Sequence, residues 1–132
     1  MRALVIEDQS LFATMVEEEL RELGYDEVEV VATEREAIAS ATKICPDLIT
    51  ADHRLSSGTG VEAIRVICSD KRIPFVFITS YPEEVRKELP SAVMLSKPFW
   101  PPKLKAAIAH AIGVSRMGTD LPGPLEDRDK SN

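Results

Sequence analysis

Four short apolar runs in this chain each end on residues that could do chemistry. Leu4-Val5-Ile6 runs into Glu7 and Asp8, and Leu48-Ile49-Thr50-Ala51 stops on Asp52. Phe75-Val76-Phe77-Ile78 runs into Thr79 and Ser80, and Ala92-Val93-Met94-Leu95 runs into Ser96, Lys97 and Pro98. Brought to one edge, the carboxylates of Glu7, Asp8 and Asp52 repel one another unless a cation sits among them. A hard divalent ion with oxygen ligands answers that need, and Mg²⁺ takes one or two carboxylates while keeping several waters. Lys97 adds a point positive charge with three donors, and Thr79 adds a hydroxyl. An ammonium, a metal and a hydroxyl around one carboxylate suit a phosphoryl group, whose charge spreads over its equatorial oxygens. Asp52 is then the candidate nucleophile, forming an acyl phosphate.

That chemistry requires the runs to be parallel neighbours in a sheet. Ala3 to Ile6 is short, β-branched and without alternation, as a buried strand is. Ser10 is the expected N-cap of the next helix, with Leu11, Phe12, Met15, Val16, Leu20 and Leu23 inward and Gly24 just past its end. Val28 to Val31 forms a second strand. Thr33 and Glu36 match a capping box, and Ala37, Ile38, Ala41 and Ile44 give that helix its inward stripe before Pro46 stops it. A Ser- and Gly-rich loop from His53 to Gly60 follows the central strand and suits close approach by another group. Val61, Ile64, Ile67 and Cys68 line a third helix. Pro82 to Leu89 is a short, charged helix and the segment expected to move most. Pro101 and Pro102 suit the first turn of a last helix, whose Leu104, Ala107, Ile108 and Ala111 pack inward and which Gly113 is expected to close.

Strand and helix alternating five times imply a parallel sheet with helices on both faces. The predicted fold class is α/β, a flavodoxin-like doubly wound (βα)5 three-layer sandwich of strand order 2-1-3-4-5. That order sets the ends of strands one and three side by side at the switch point, with Glu7, Asp8 and Asp52 together. Residues 1–113 form the domain, and 114–132, mixed in composition and without periodicity, form an expected disordered C-terminal tail.

The 132 residues, 44% hydrophobic, suffice for one domain with a real core. A net charge of −6 argues against a non-specific grip on nucleic acid. No apolar stretch approaches a membrane span, no signal peptide is visible, and a cytoplasmic location is expected. Cys45 and Cys68 read as small buried hydrophobes; His53 and His110 read as solvent-facing.

Taken in order, Glu7-Asp8, Asp52, the Leu55…Gly58…Gly60 loop, Thr79 and Lys97-Pro98-Phe99 make the chain from about Arg2 to Ile112 resemble the receiver domain of response regulators in two-component signalling. The resemblance implies that Asp52 accepts a phosphoryl group from a phosphohistidine on a histidine kinase or histidine phosphotransfer protein. It implies that Asp8 and Asp52 ligate Mg²⁺ directly, with the Arg54 carbonyl as a further ligand and Glu7 acting through water. Thr79 would swing toward a phosphoryl oxygen, Lys97 would pair with it, and the Lys97-Pro98 bond would be cis.

Two departures stand out. Met94 occupies the position, three residues before the lysine, where receivers commonly carry an aromatic switch. Tyr81 instead lies two residues after Thr79, and Phe75-Val-Phe-Ile-Thr-Ser-Tyr81 is similar to the Phe-Ala-Thr-Gly-Tyr-type motif of one single-domain receiver subgroup, with Ile78 and Ser80 replacing Ala and Gly. Tyr81 either switches or simply packs. Arg54 lies beside the path of an attacking water and is a candidate for tuning acyl-phosphate lifetime. The expected function is a non-enzymatic phosphoryl-accepting switch, with at most self-phosphorylation from small donors and slow self-dephosphorylation. It would alter binding to a downstream protein target through a face carrying Thr79, Tyr81, Met94 and the last helix. The alternative is a small Mg²⁺-dependent aspartyl-phosphate hydrolase.

Overall fold

The computed structural model describes residues 1–117. Five strands, β1 (Arg2–Ile6), β2 (Glu27–Val31), β3 (Leu48–Ala51), β4 (Phe75–Thr79) and β5 (Met94–Ser96), form one parallel sheet in the order β2-β1-β3-β4-β5. Five helices alternate with them: α1 (Ser10–Glu22), α2 (Glu34–Lys43), α3 (Gly60–Ile67), α4 (Pro82–Glu88) and α5 (Pro101–Met117). This is the doubly wound α/β architecture expected from the alternation of patterns.

The period-two alternation of strand side chains splits the core into two layers. Leu4, Ile6, Ile49, Ala51, Phe75 and Phe77 face α2, α3 and α4, where Ala37, Ala41, Ile64 and Val85 meet them. Ala3, Val5, Leu48, Val76 and Ile78 face the other way, toward Val16 and Leu20 of α1 and Leu104, Ile108 and Ala111 of α5. Both faces of β1, β3 and β4 are therefore covered, which is why these runs are apolar without interruption. β2 is an edge strand and leaves Val30 exposed.

Local chemistry sets several boundaries. Thr33 Oγ1 accepts from the Glu36 amide at 3.1 Å, while Glu36 Oε1 accepts from the Ala32 amide at 2.9 Å, one residue before the partner an ideal capping box uses. Gly24 has φ +104°, the left-handed conformation a glycine adopts past a helix end.

Several expectations need correction. The N-cap of α1 is Gln9, with no side-chain cap, and Ser10 is the first helical residue. Leu11 is 68% exposed: helical spacing identifies a stripe, but its first member lies outside the core that Phe12, Met15, Val16 and Leu20 join. Ile44, past the end of α2, and Cys45 are exposed, because the chain has turned extended there; Cys68 is buried as expected. Gly113 does not close α5, which runs to Met117. An interior glycine costs only about 1 kcal/mol, and the buried series Leu104, Ile108, Ala111 and Ser115 continues across it. The tail expectation otherwise falls on 118–132, outside the described residues. Among the described residues no helix is long and apolar enough to cross a membrane.

Candidate phosphorylation site

Strand register does the positioning. Ile6 is paired with Ala51, so Glu7 and Asp52 leave adjacent strands at the same level. The Asp52 amide donates to the Ile6 carbonyl at 2.8 Å, and the Glu7 amide donates to Val31 at 2.8 Å. One ligand oxygen from each of Glu7, Asp8 and Asp52 falls within 4.8 Å of the others, with Glu7 and Asp52 buried and Asp8 exposed. On the far side of β3, Thr79 pairs with Ser96, and the Lys97 amide donates to the Thr79 carbonyl at 3.0 Å. The Lys97-Pro98 peptide is cis.

Lys97 fills the centre. Its side chain is 2% exposed, and Nζ lies 2.8 Å from Glu7 Oε1 and 2.8 Å from Asp52 Oδ2. It also donates to Gln9 Oε1 at 2.7 Å. An ammonium has three N–H donors, and all three find acceptors here. The ammonium also stands 4.5 Å over the Phe12 ring, which itself lies 6.0 Å from Phe99. Gln9 is a site residue that pattern reading missed; a polar side chain directly after an acidic pair at a strand exit was the available signal.

Burial pushes the Glu7 carboxyl up to about 7, the nearby Asp52 charge adds to this, and the hydrogen bond from Lys97 opposes it. With Glu7 ionised as well, three carboxylates against one ammonium leave two formal negative charges. Such a set of hard oxygen donors with a charge deficit of two suits a divalent cation.

Asp52 is held by its own loop. Its Oδ1 accepts from the His53 amide at 2.7 Å, and the Gly60 amide donates to the His53 carbonyl at 2.8 Å. A Cβ on Gly60 would collide with the Asp52 carbonyl oxygen, so only glycine permits this approach. Thr79 is fully buried, and its Oγ1 accepts from the Tyr81 amide at 2.9 Å. Tyr81 is 43% exposed, with the Arg54 guanidinium 3.7 Å from its ring centroid. Met94 does not share that exposed position; it is half-buried against the core on the α4 side. The predicted face is thus divided: α4 and α5 flank β5 from opposite layers.

His53 departs from expectation. Its side chain is only 12% exposed, Nε2 is 3.7 Å from Glu84 Oε1, and Nδ1 is buried without a hydrogen-bond partner. The α4 segment covers it, a contact no local pattern announces. His110 is exposed as expected.

A family model described as the response regulator receiver domain matches residues 3–109. The chain belongs to the response regulator receiver family of two-component signalling. It is 38% identical over 114 residues to the phyllosphere-induced regulator PhyR of Methylorubrum extorquens, a match covering 83% of this chain and 42% of PhyR. This chain therefore corresponds to less than half the length of that relative. The solution structure of the PhyR receiver domain from Erythrobacter litoralis superposes with a TM-score of 0.73 at 29% identity, over 84% of this chain and 88% of that one. The receiver domain of the sensor histidine kinase PA1611 from Pseudomonas aeruginosa gives a TM-score of 0.73 at 31% identity, over 85% and 97%. That domain is described with a magnesium ion coordinated in its active-site cleft.

Proposed function

We propose that this receiver domain is a phosphoryl-accepting switch, with Asp52 as the acceptor. The observation that carries the reading is the buried ammonium of Lys97, shared between Asp52 and Glu7 with Asp8 alongside. Asp52 and Asp8 would hold Mg²⁺ directly, the Arg54 carbonyl would add a ligand, and Glu7 would contribute through water. Bound there, the ion would supply charge screening for the phosphoryl oxygens.

The chain's own groups account for the rest. Each Asp52 oxygen accepts one hydrogen bond and keeps a further lone pair. One of these attacks the phosphorus of a partner's phosphohistidine; the new O–P bond forms as the N–P bond breaks, and the imidazole leaves. Lys97 pairs with the added negative charge. Thr79 Oγ1 accepts from Tyr81, so its proton is available to a phosphoryl oxygen. If the hydroxyl turns to that oxygen, the Tyr81 amide loses its acceptor, and the chain after β4 must adjust. That chain is lightly anchored, for α4 buries only Val85 among its residues. A downstream protein reading Tyr81 and α4 would sense the change. Water attacking the acyl phosphate would later release inorganic phosphate and restore the carboxylate.

The same chemistry could serve a hydrolase, and turnover separates the two. Incubated with acetyl phosphate or small phosphomonoesters in Mg²⁺, the chain is expected to take up at most one phosphoryl group and to release phosphate slowly. Rapid multiple turnover on phosphomonoesters would replace the switch by the enzyme.

A further inference from the structure

The N-cap of α1 breaks a local rule. That position favours a short polar side chain, which turns back to accept from the free amides of the first helical turn. Gln9 stands there instead, and its side chain makes no cap. The longer side chain reaches the other way, and its Oε1 accepts from Lys97 Nζ at 2.7 Å. Its own backbone amide donates to Glu7 Oε2 at 3.1 Å, so the residue is tied to the site at both ends. A residue that forgoes a local gain for a distant contact points to a functional constraint.

What the contact does follows from counting donors. The ammonium has three N–H bonds, and they are taken by Glu7 Oε1, Asp52 Oδ2 and Gln9 Oε1. None is left for a phosphoryl oxygen, so one partner must give way when Asp52 is loaded. The side chains of Glu7 and Asp52 are only 3% and 8% exposed and lie on the buried side of the ammonium. Gln9 is exposed and neutral. A phosphoryl group arrives from solvent, toward the outward donor, and a neutral amide is a weaker partner for an ammonium than a carboxylate is. Once released, the exposed amide is simply rehydrated, whereas a buried carboxylate stripped of its cation would be costly.

We propose that Gln9 is a positioning residue for phosphoryl uptake: its side-chain amide holds the third donor of Lys97 in the unloaded chain and yields it to a phosphoryl oxygen on Asp52. The bond keeps the buried ammonium matched while the site is empty, and the need to break it opposes loading. The proposal rests on the reading of Asp52 as phosphoacceptor.

The test is calorimetric titration with beryllofluoride, which mimics a phosphoryl group on a carboxylate, at saturating Mg²⁺. Gln9→Met keeps the length of the side chain without the acceptor and leaves one ammonium N–H unmatched. It is expected to bind the analogue about three- to ten-fold more tightly than wild type, the range of one net hydrogen bond. Gln9→Asn falls short of Lys97 but can cap α1; it should also bind more tightly, while its new cap offsets the stability that Gln9→Met loses. Gln9→Glu sets a carboxylate on Lys97 and a negative charge against the analogue, and should bind about ten-fold less tightly. In urea, Gln9→Met should lower the unfolding midpoint of the free chain and not that of the analogue-loaded chain; a merely structural contact would lower both. Gln9→Met and Gln9→Asn binding the analogue no more tightly than wild type, or Gln9→Glu binding it more tightly, would overturn the proposal and leave Asp52 as the acceptor. A wild-type chain that neither binds the analogue nor gains phosphoryl mass from acetyl phosphate removes both.

Discussion

Two ionic clusters lie on the same sheet edge, and they obey different physics. In the first, Lys97, Glu7 and Asp52 are nearly shut off from water, and every donor of the ammonium is matched. In the second, Arg54, Glu84 and Tyr81 are about half exposed and held by loops and a short helix. A buried set must stay nearly complete, because an uncompensated charge there costs several times what an exposed pair contributes. The inner cluster can thus hold a carboxylate firmly in place, whereas the outer one can be lost at little cost to the fold.

Removing the ammonium should show the contrast most strongly. Lys97→Met keeps the length of the side chain but leaves two buried acids unmatched, and is expected to cost about 3 kcal/mol in urea unfolding without metal. Adding Mg²⁺ should recover part of that loss, because the ion supplies the missing charge; no recovery would argue against a cation site among the three acids. Arg54→Ala, by contrast, should leave the unfolding midpoint unchanged within error.

Gly60→Ala probes how tightly the inner cluster is framed. The new Cβ meets the Asp52 carbonyl, so the loop must shift at a cost of about 2 kcal/mol, with phosphoryl uptake impaired as well. A variant that unfolds and loads like wild type would show that the approach is not a constraint.

The pH dependence follows from Glu7. Its folded carboxyl holds a proton up to about 7, against an ordinary value of 4.5. Between those values the folded chain carries more protons than the unfolded one. The contribution is therefore fully present below pH 4.5 and is lost as pH rises through 7, by about 2–3 kcal/mol at most. Mg²⁺ favours the ionised form, so it should flatten this slope, and its own apparent affinity should weaken below pH 7. Thermal unfolding across this range, with and without Mg²⁺, checks both signs. The smallest effect expected is optical: Trp100 is 75% exposed beside the turn after Lys97, and its emission should shift only slightly with Mg²⁺ and a phosphoryl analogue.

The inner cluster was largely legible in the sequence because strands that end in step leave a visible trace. Each of its main residues follows an apolar run, and the alternation of strand and helix fixes which runs are neighbours. Thr33, Gly24 and Pro101 likewise act on their own surroundings and could be placed from them. In the outer cluster Arg54 and Tyr81 could be singled out by their places after Asp52 and Thr79, but the Glu84 that holds them left no such trace. Arg54 and Glu84 are 30 residues apart, both are ordinary surface types, and their meeting depends on where α4 settles. The same reason hid the covering of His53. Leu11 and Gly113 misled for another reason: a periodic stripe or a helix-breaking residue expresses a preference, and tertiary packing decides whether it is followed.

The central claim is that the carboxylate held by Lys97 takes up phosphorus. Intact mass and peptide mapping after incubation with acetyl phosphate and Mg²⁺ test it most directly, on wild type and on Asp52→Asn. One added phosphoryl group on the wild-type peptide bearing Asp52, and none on Asp52→Asn, is the result expected. Equal uptake by the two proteins, or no uptake by the folded wild type, would contradict the account.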